Sequence, residues 1–267
     1  MGEKRARRQK FFAQHPICCF CGGGTAATTE DHQPGRAFFR ERQWPEGFVF
    51  PACEPCNSGS RVSENIVALL VHGESENEDR RKYRAVLASV RQDYPDLIAS
   101  MLPGSANEIR KIMRNKEISL PPGGTFSDVP LIKLDVEFWT PHFEMFARKL
   151  LLALHYQCFG EPLSNSGRIS YWINTNADAM DDNYQAKLLE IAEFLTVPHR
   201  QNKLLGDQFL IRWNYTQQTK TAVFIVSFHG LLIVSGLTTE APESFLEWHS
   251  KRMVAPFIHD LHDLKAD

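Results

Sequence analysis

From Ser63 the apolar positions fall at helical spacing, with Ile66, Leu69 and Leu70 on one face, and this predicts a helix. Residues 78–102 repeat the pattern through Tyr83, Val86, Leu87, Val90, Tyr94, Leu97 and Ile98, with Pro95 expected to break it. Residues 106–116 predict a further helix through Ile109, Ile112 and Met113. Residues 141–156 predict a core helix on Phe143, Phe146, Leu150 and Leu154. Elsewhere the period drops to two. Residues 131–137 and 168–174 read as strands, and Phe209, Ile211, Trp213 and Tyr215 alternate along a half-buried third. Residues 221–228 and 231–235 flank His229-Gly230 as a tight hairpin. Residues 184–195 read as a helix, and a last helix is expected from Pro242 into the 250s.

Punctuation divides these elements. Gly73-Glu-Ser-Glu-Asn77 reads as a linker, and Pro121-Pro-Gly-Gly124 is the strongest break in the chain. The expected organisation is a small module over 1–75, a helical connector over 76–120, and an α+β domain with a mainly antiparallel sheet over 121–267.

Composition narrows the class. At 267 residues and 43% hydrophobic the chain can bury a core, which excludes intrinsic disorder. Its longest apolar stretches, 66–71 and 150–154, fall far short of the roughly 20 residues that cross a bilayer. The charged start lacks the apolar continuation of a secretory signal. A cytoplasmic protein with no membrane partner is the expectation. A net charge of −2 excludes less, because the charge is uneven. Residues 80–116 hold nine basic side chains against three acidic, whereas 121–267 hold 12 against 17. The basic helices could lie along a duplex or simply be solvated faces, and a polyanionic partner stays open.

The cysteines carry the chemistry. Four of the six form Cys18-Cys-Phe-Cys21 and Cys53-Glu-Pro-Cys56, with 31 residues between the pairs. A two-residue spacer lets both sulfurs of a pair reach one ion, so the pattern predicts structural Zn²⁺. A disulfide or redox pair fits poorly with no secretory signal and no βαβ unit around either pair. Cys19 and Cys158 read as small apolar residues. The interval between the pairs holds Thr29-Glu-Asp31-His32-Gln-Pro34, and Asn57 directly follows the last cysteine.

Over about residues 15–70 this arrangement resembles the HNH endonuclease family in its zinc-stapled ββα-metal form. The resemblance implies a nuclease that hydrolyses phosphodiester bonds, in DNA before RNA, leaving a 3′-hydroxyl and a 5′-phosphate. It implies His32 as general base on water, with Asp31 and Asn57 as ligands of a catalytic Mg²⁺ or Mn²⁺. The residue types suit those roles: a neutral imidazole can take a proton, and carboxylate and amide oxygens suit a hard cation. Asp31 and His32 would point to opposite sides of a strand, so a shared site requires a strand end, which Pro34 favours. Asn57 also stands where a helix N-cap would. One position departs from the family pattern: Phe48 occupies the place of an asparagine that braces the loop of the general base. A backbone carbonyl or another side chain must then supply the brace, or the module binds nucleic acid or assembles without cutting it. Glu64, about two helical turns beyond Asn57, reads as a solvated helix residue before one that approaches the metal side. Arg36, Arg40 and Arg42 read as phosphate contacts or as ordinary surface arginines. The role of 121–267 is left open among substrate selection, dimerisation and sensing.

Overall fold

The computed structural model describes residues 2–40, 43–73, 80–97, 101, 105–115, 135–175 and 190–245. Helix α1 (Glu3–Gln14) is strongly basic and buries no side chain. Strand β1 (Thr29–His32) pairs antiparallel with β2 (Val49–Ala52), which sets Asp31 opposite Phe50 and His32 opposite Val49. The chain then enters α2 (Glu54–Gly59) directly. Glu54 and Pro55 suit this first turn, where an acid meets the free N–H groups and a proline forfeits none that is needed. Helix α3 (Arg61–Gly73) follows with a buried face of Ile66, Val67 and Leu69, then α4 (Arg80–Asp93) and α5 (Ala106–Asn115). Helix α4 stops before Pro95, as its sequence predicts.

The longest helix, α6 (Val136–Phe159), starts before the expected Pro141. Asp135 is the reason: its Oδ1 accepts the Glu137 N–H at 3.1 Å and satisfies an otherwise orphaned donor. The strand expected over 131–137 is therefore helical at 136–137, and 131–134 lie outside the described residues. Gly160, at φ 72°, ends the helix in the left-handed conformation.

Five antiparallel strands form the C-terminal sheet: β3 (Arg168–Thr175), β4 (Phe194–Thr196), β7 (Phe209–Thr216), β8 (Thr221–Phe228) and β9 (Leu232–Thr239). Their order is β3-β9-β8-β7-β4. A separate hairpin, β5 (His199–Arg200) and β6 (Lys203–Leu204), lies between β4 and β7 in the chain. The fold is thus mixed helix and antiparallel sheet. His229 and Gly230, at positive φ values of 51° and 68°, are the central residues of the β8–β9 turn, closed by the Leu231 N–H to the Phe228 carbonyl at 2.9 Å. Leu231 completes a three-residue loop, and the strand starts at Leu232, one residue later than expected. The helix expected over 184–195 fails at its end. Residues 194–196 are a strand instead, because β7 offers them a ladder and Phe194 packs on Trp213 at 5.4 Å. Residues 184–189 lie outside the described ones. After Pro242 only a 3₁₀ turn, Pro242–Phe245, is described. Among the described residues no helix is long and apolar enough to cross a membrane.

Helix α6 packs on the sheet so closely that β9 must carry a glycine. A Cβ on Gly236 would strike Leu151 and lie 2.8 Å from the Ser170 carbonyl oxygen. Gly236→Ala is expected to cost about 1–3 kcal/mol through overpacking. Urea unfolding should show a lower midpoint with an unchanged slope.

The loop between β1 and β2 docks on this layer. Phe38 stacks on Phe146 at 4.5 Å, while Phe39 and Phe48 meet Phe209 edge-on at 5.7 and 5.4 Å. Gln208 grips the middle of the loop: it accepts the Arg40 N–H and donates to Gln43 Oε1, each at 2.8 Å.

Candidate metal centre and adjoining cleft

The sulfurs of Cys18, Cys21, Cys53 and Cys56 are buried and lie within 4.8 Å of one another. Cys21 Sγ is 3.6 Å from Cys53 Sγ and 3.7 Å from Cys56 Sγ. Metal–sulfur bonds of about 2.3 Å in a tetrahedron set sulfurs about 3.8 Å apart, so the cage suits a zinc ion. Local structure builds it. The first pair sits in a turn closed by the Cys18 N–H to the Thr25 carbonyl at 2.8 Å, with Gly22 and Gly23 at positive φ. Cys53 precedes α2 and Cys56 lies in it. The Phe20 N–H donates to Cys18 Sγ at 3.4 Å, stabilising negative sulfur. Hydrogen bonds from Cys21 and Cys56 pull the Cys18 thiol far down, and the same contact with Cys18 pushes Cys21 up to about 12. Cys56 is raised by Cys18 and Cys21 in turn. Four thiolates this close need a cation among them. Cys19 and Cys158 stand apart, both with thiol pKa values raised by burial, as suits unreactive packing residues.

Beside this cage a solvent-open cleft of about 1050 Å³ contains Asp31, His32, Asn57 and Glu64. Strand β1 ends at His32, so the two adjacent side chains reach the same cleft although the pleat sends them apart. Helix α2 brings Asn57, whose Nδ2 donates to the Glu30 carbonyl at 3.5 Å. That anchor turns the amide so that Oδ1 remains as its acceptor end. Asn57 is not the N-cap of α2; Cys53 holds that position.

His32 is half-buried, and its Nε2 accepts from Arg36 Nη2 at 2.5 Å. A guanidinium cannot accept, so the neutral ring carries its proton on Nδ1. Nδ1 is buried and has no well-formed hydrogen bond. Burial lowers the His32 pKa to about 4, with Arg36, Arg200 and Arg7 adding to the effect and the Phe48 carbonyl opposing it. Phe48 itself points into the core against Phe50 and Phe209, so only its backbone faces the imidazole.

Asp31 meets a residue that sequence reasoning missed. Lys149 of α6 is wholly buried, 2.5 Å from Asp31 Oδ2 and 2.9 Å from Glu64 Oε1, and it also donates to Ser60 Oγ. Its ammonium lies 5.2 Å from the centre of the Phe20 ring, within the first cysteine turn. Asp31 Oδ2 is itself buried, and the Lys149 ammonium lies directly against it. Burial raises the Asp31 pKa to about 6, against the opposing pull of Lys149. Burial alone would lower the pKa of Lys149; Glu64 and Asp31 hold it raised instead. Glu64 is thus 8% exposed and paired, not solvated as expected.

Two more cleft residues had no single strong signal. Trp44 lies 4.5 Å below the Arg36 guanidinium carbon and 4.8 Å from that of Arg200, measured to its ring centre. Of the three arginines expected to contact phosphate, Arg36 lines the cleft, Arg40 pairs with Asp207 at 2.9 Å, and Arg42 lies outside the described residues. No family model matches this chain, and neither a curated protein nor a solved structure is significantly similar to it.

Proposed function

We propose that this chain is a zinc-stapled, divalent-metal-dependent nuclease of the HNH type, cleaving phosphodiester bonds in DNA in preference to RNA. One observation carries the reading: Asp31, His32 and Asn57 line a single open cleft, distinct from the cysteine cage that braces its walls. The tautomer supports it further. With the proton on Nδ1, Nε2 is the basic nitrogen, and it becomes available to water once Arg36 turns to a better acceptor such as a phosphate oxygen. The donor types suit a hard cation, since Asp31 brings a carboxylate to the cleft and Asn57 an amide oxygen. A bound Mg²⁺ or Mn²⁺ would supply charge relief at the phosphoryl group and at the departing alkoxide.

The test compares wild type with His32→Ala on plasmid and on RNA, in Mg²⁺, Mn²⁺ or EDTA, with zinc counted in parallel. Loss of a general base should slow cleavage by about 10²–10⁴-fold while leaving the zinc content unchanged. Cleavage that survives His32→Ala would sink the assignment. Burial holds the His32 pKa down at about 4, so protonation of the base should not slow the wild-type rate between about pH 7.5 and about pH 5.5. A decline there would report protonation of Asp31, whose pKa burial raises to about 6.

A second reading, a zinc-dependent nucleic-acid-binding module without catalysis, draws on Lys149, which already neutralises Asp31. It predicts salt-sensitive binding with no cleavage in any metal.

A further inference from the structure

Among the described lining residues, the C-terminal half reaches the cleft through Arg200, on the separate hairpin β5–β6. Hairpin β5–β6 supplies Arg200, and the Glu46 N–H donates to the His199 carbonyl at 3.0 Å, tying the hairpin to the β1–β2 loop. Lys203 Nζ donates to Gln43 Oε1 at 2.9 Å, and the Gln201 N–H to Glu46 Oε1 at 3.1 Å. The Arg200 guanidinium is therefore delivered on a braced support. It shares the Trp44 ring with Arg36, and Trp44 in turn meets His32 edge-on at 6.3 Å.

Two guanidinium groups on one indole repel each other, although the cleft lining also holds the carboxylates of Glu30, Asp31, Glu46, Glu54 and Glu64. Arg200 has Glu46 at 3.9 Å, a loose pair, and the exposed Arg36 spends one donor on the neutral imidazole. The indole face attracts cations and gathers both planar groups over one ring, so their remaining N–H donors face the same cleft. Arg7 lines the same cleft, 3.8 Å from Glu30. Such a set is complementary to closely spaced anionic oxygens, which accept charge-assisted bonds more strongly than imidazole does.

We propose that Arg36 and Arg200, gathered over Trp44, form a two-point clamp for the phosphate backbone of a polynucleotide and seat it beside His32. The C-terminal domain then contributes half of the grip on substrate through β5–β6. This inference rests on the nuclease reading for its substrate class, but its test does not depend on cleavage.

The experiment measures binding of a fluorescein-labelled duplex and of the matching single strand, by anisotropy across a salt series with no chelator and no added Mg²⁺ or Mn²⁺. Full-length His32→Ala serves as the parent, compared with the same chain carrying Arg36→Ala, Arg200→Ala, Arg200→Lys or, as a control, Arg168→Ala. Zinc content and thermal melts establish that each variant is folded. Each cleft alanine should weaken binding about tenfold and reduce the slope of log affinity against log salt by about one. Arg200→Lys should restore the slope but not the full affinity, since an ammonium lacks the planar fork. Arg168→Ala should change neither. Undetectable binding by the parent, or unchanged affinity and slope in folded Arg36→Ala and Arg200→Ala, would overturn the clamp. If the clamp variants lose binding while wild type never cleaves, the clamp stands and the nuclease reading falls. If wild type cleaves through His32 but the clamp variants bind normally, the reverse holds.

Discussion

Cys53→Ser is expected to release the bound zinc and unfold the cleft with it. The elements that carry Asp31, His32 and Asn57 are minimal: β1 and β2 have four residues each and α2 has six. A two-stranded pair and a helix of under two turns are not stable alone. What joins them is the cage, which ties the turn before β1 to the start of α2. Structural zinc contributes apparent binding free energies of about 10–16 kcal/mol in small modules, and three thiolates retain only part of that. The variant should bind less than one zinc per chain and lose the first part of its thermal transition. A strong chelator should do the same to wild type. Cys19→Ser is the control, because Cys19 is as buried as its neighbours but takes no part in the cage. It should lose some packing energy and keep its zinc. A folded Cys53→Ser with full zinc would mean the four cysteines are not the ligands.

The cage was legible because metal chemistry leaves a spacing in the chain, and the sheet because half-buried strands alternate. Phe209 to Tyr215 and the His229-Gly230 turn could be read for that reason. Lys149 was hidden by the same logic. Phe143, Phe146, Leu150 and Leu154 define one face of α6, which leaves Lys149 looking solvated. In the structure every residue from Met145 to His155 is buried, so α6 has no solvent face there. The only trace in the sequence is a basic pair, Arg148-Lys149, inside an otherwise apolar run. Glu64 was hidden likewise, since its partner lies 85 positions away and no local pattern encodes it. Arg200 needed the β5–β6 hairpin, whose strands of two residues are too short to show a period. The end of the helix expected over 184–195 is ambiguous in the sequence because Phe194 and Leu195, both exposed, fit either periodicity until β7 is there to pair with them.

Lys149→Met should be the most damaging substitution in the C-terminal half. Lys149 is 0% exposed, and its ammonium stands between the Asp31 and Glu64 carboxylates, which are 7% and 8% exposed. Methionine fills much of the same space, so the cost is electrostatic and not a cavity. It leaves two like charges facing each other in a medium that solvates neither, for which about 3–5 kcal/mol is expected. The sign of the pH dependence follows. Asp31 already has its folded pKa raised to about 6, above the ordinary 3.8, so the native state binds the extra proton and loses stability as pH rises through that window. Removing Lys149 removes the interaction that opposes this rise, so the window extends to higher pH in the variant. The deficit against wild type should therefore be smaller near about pH 5 than near about pH 8, and urea titrations at the two values measure it. Asp31→Asn in the Lys149→Met background should recover part of the loss by removing one of the stranded charges. A deficit below about 1 kcal/mol at both pH values would mean that water reaches these carboxylates, and that Lys149 is not the charge that holds the cleft floor to α6.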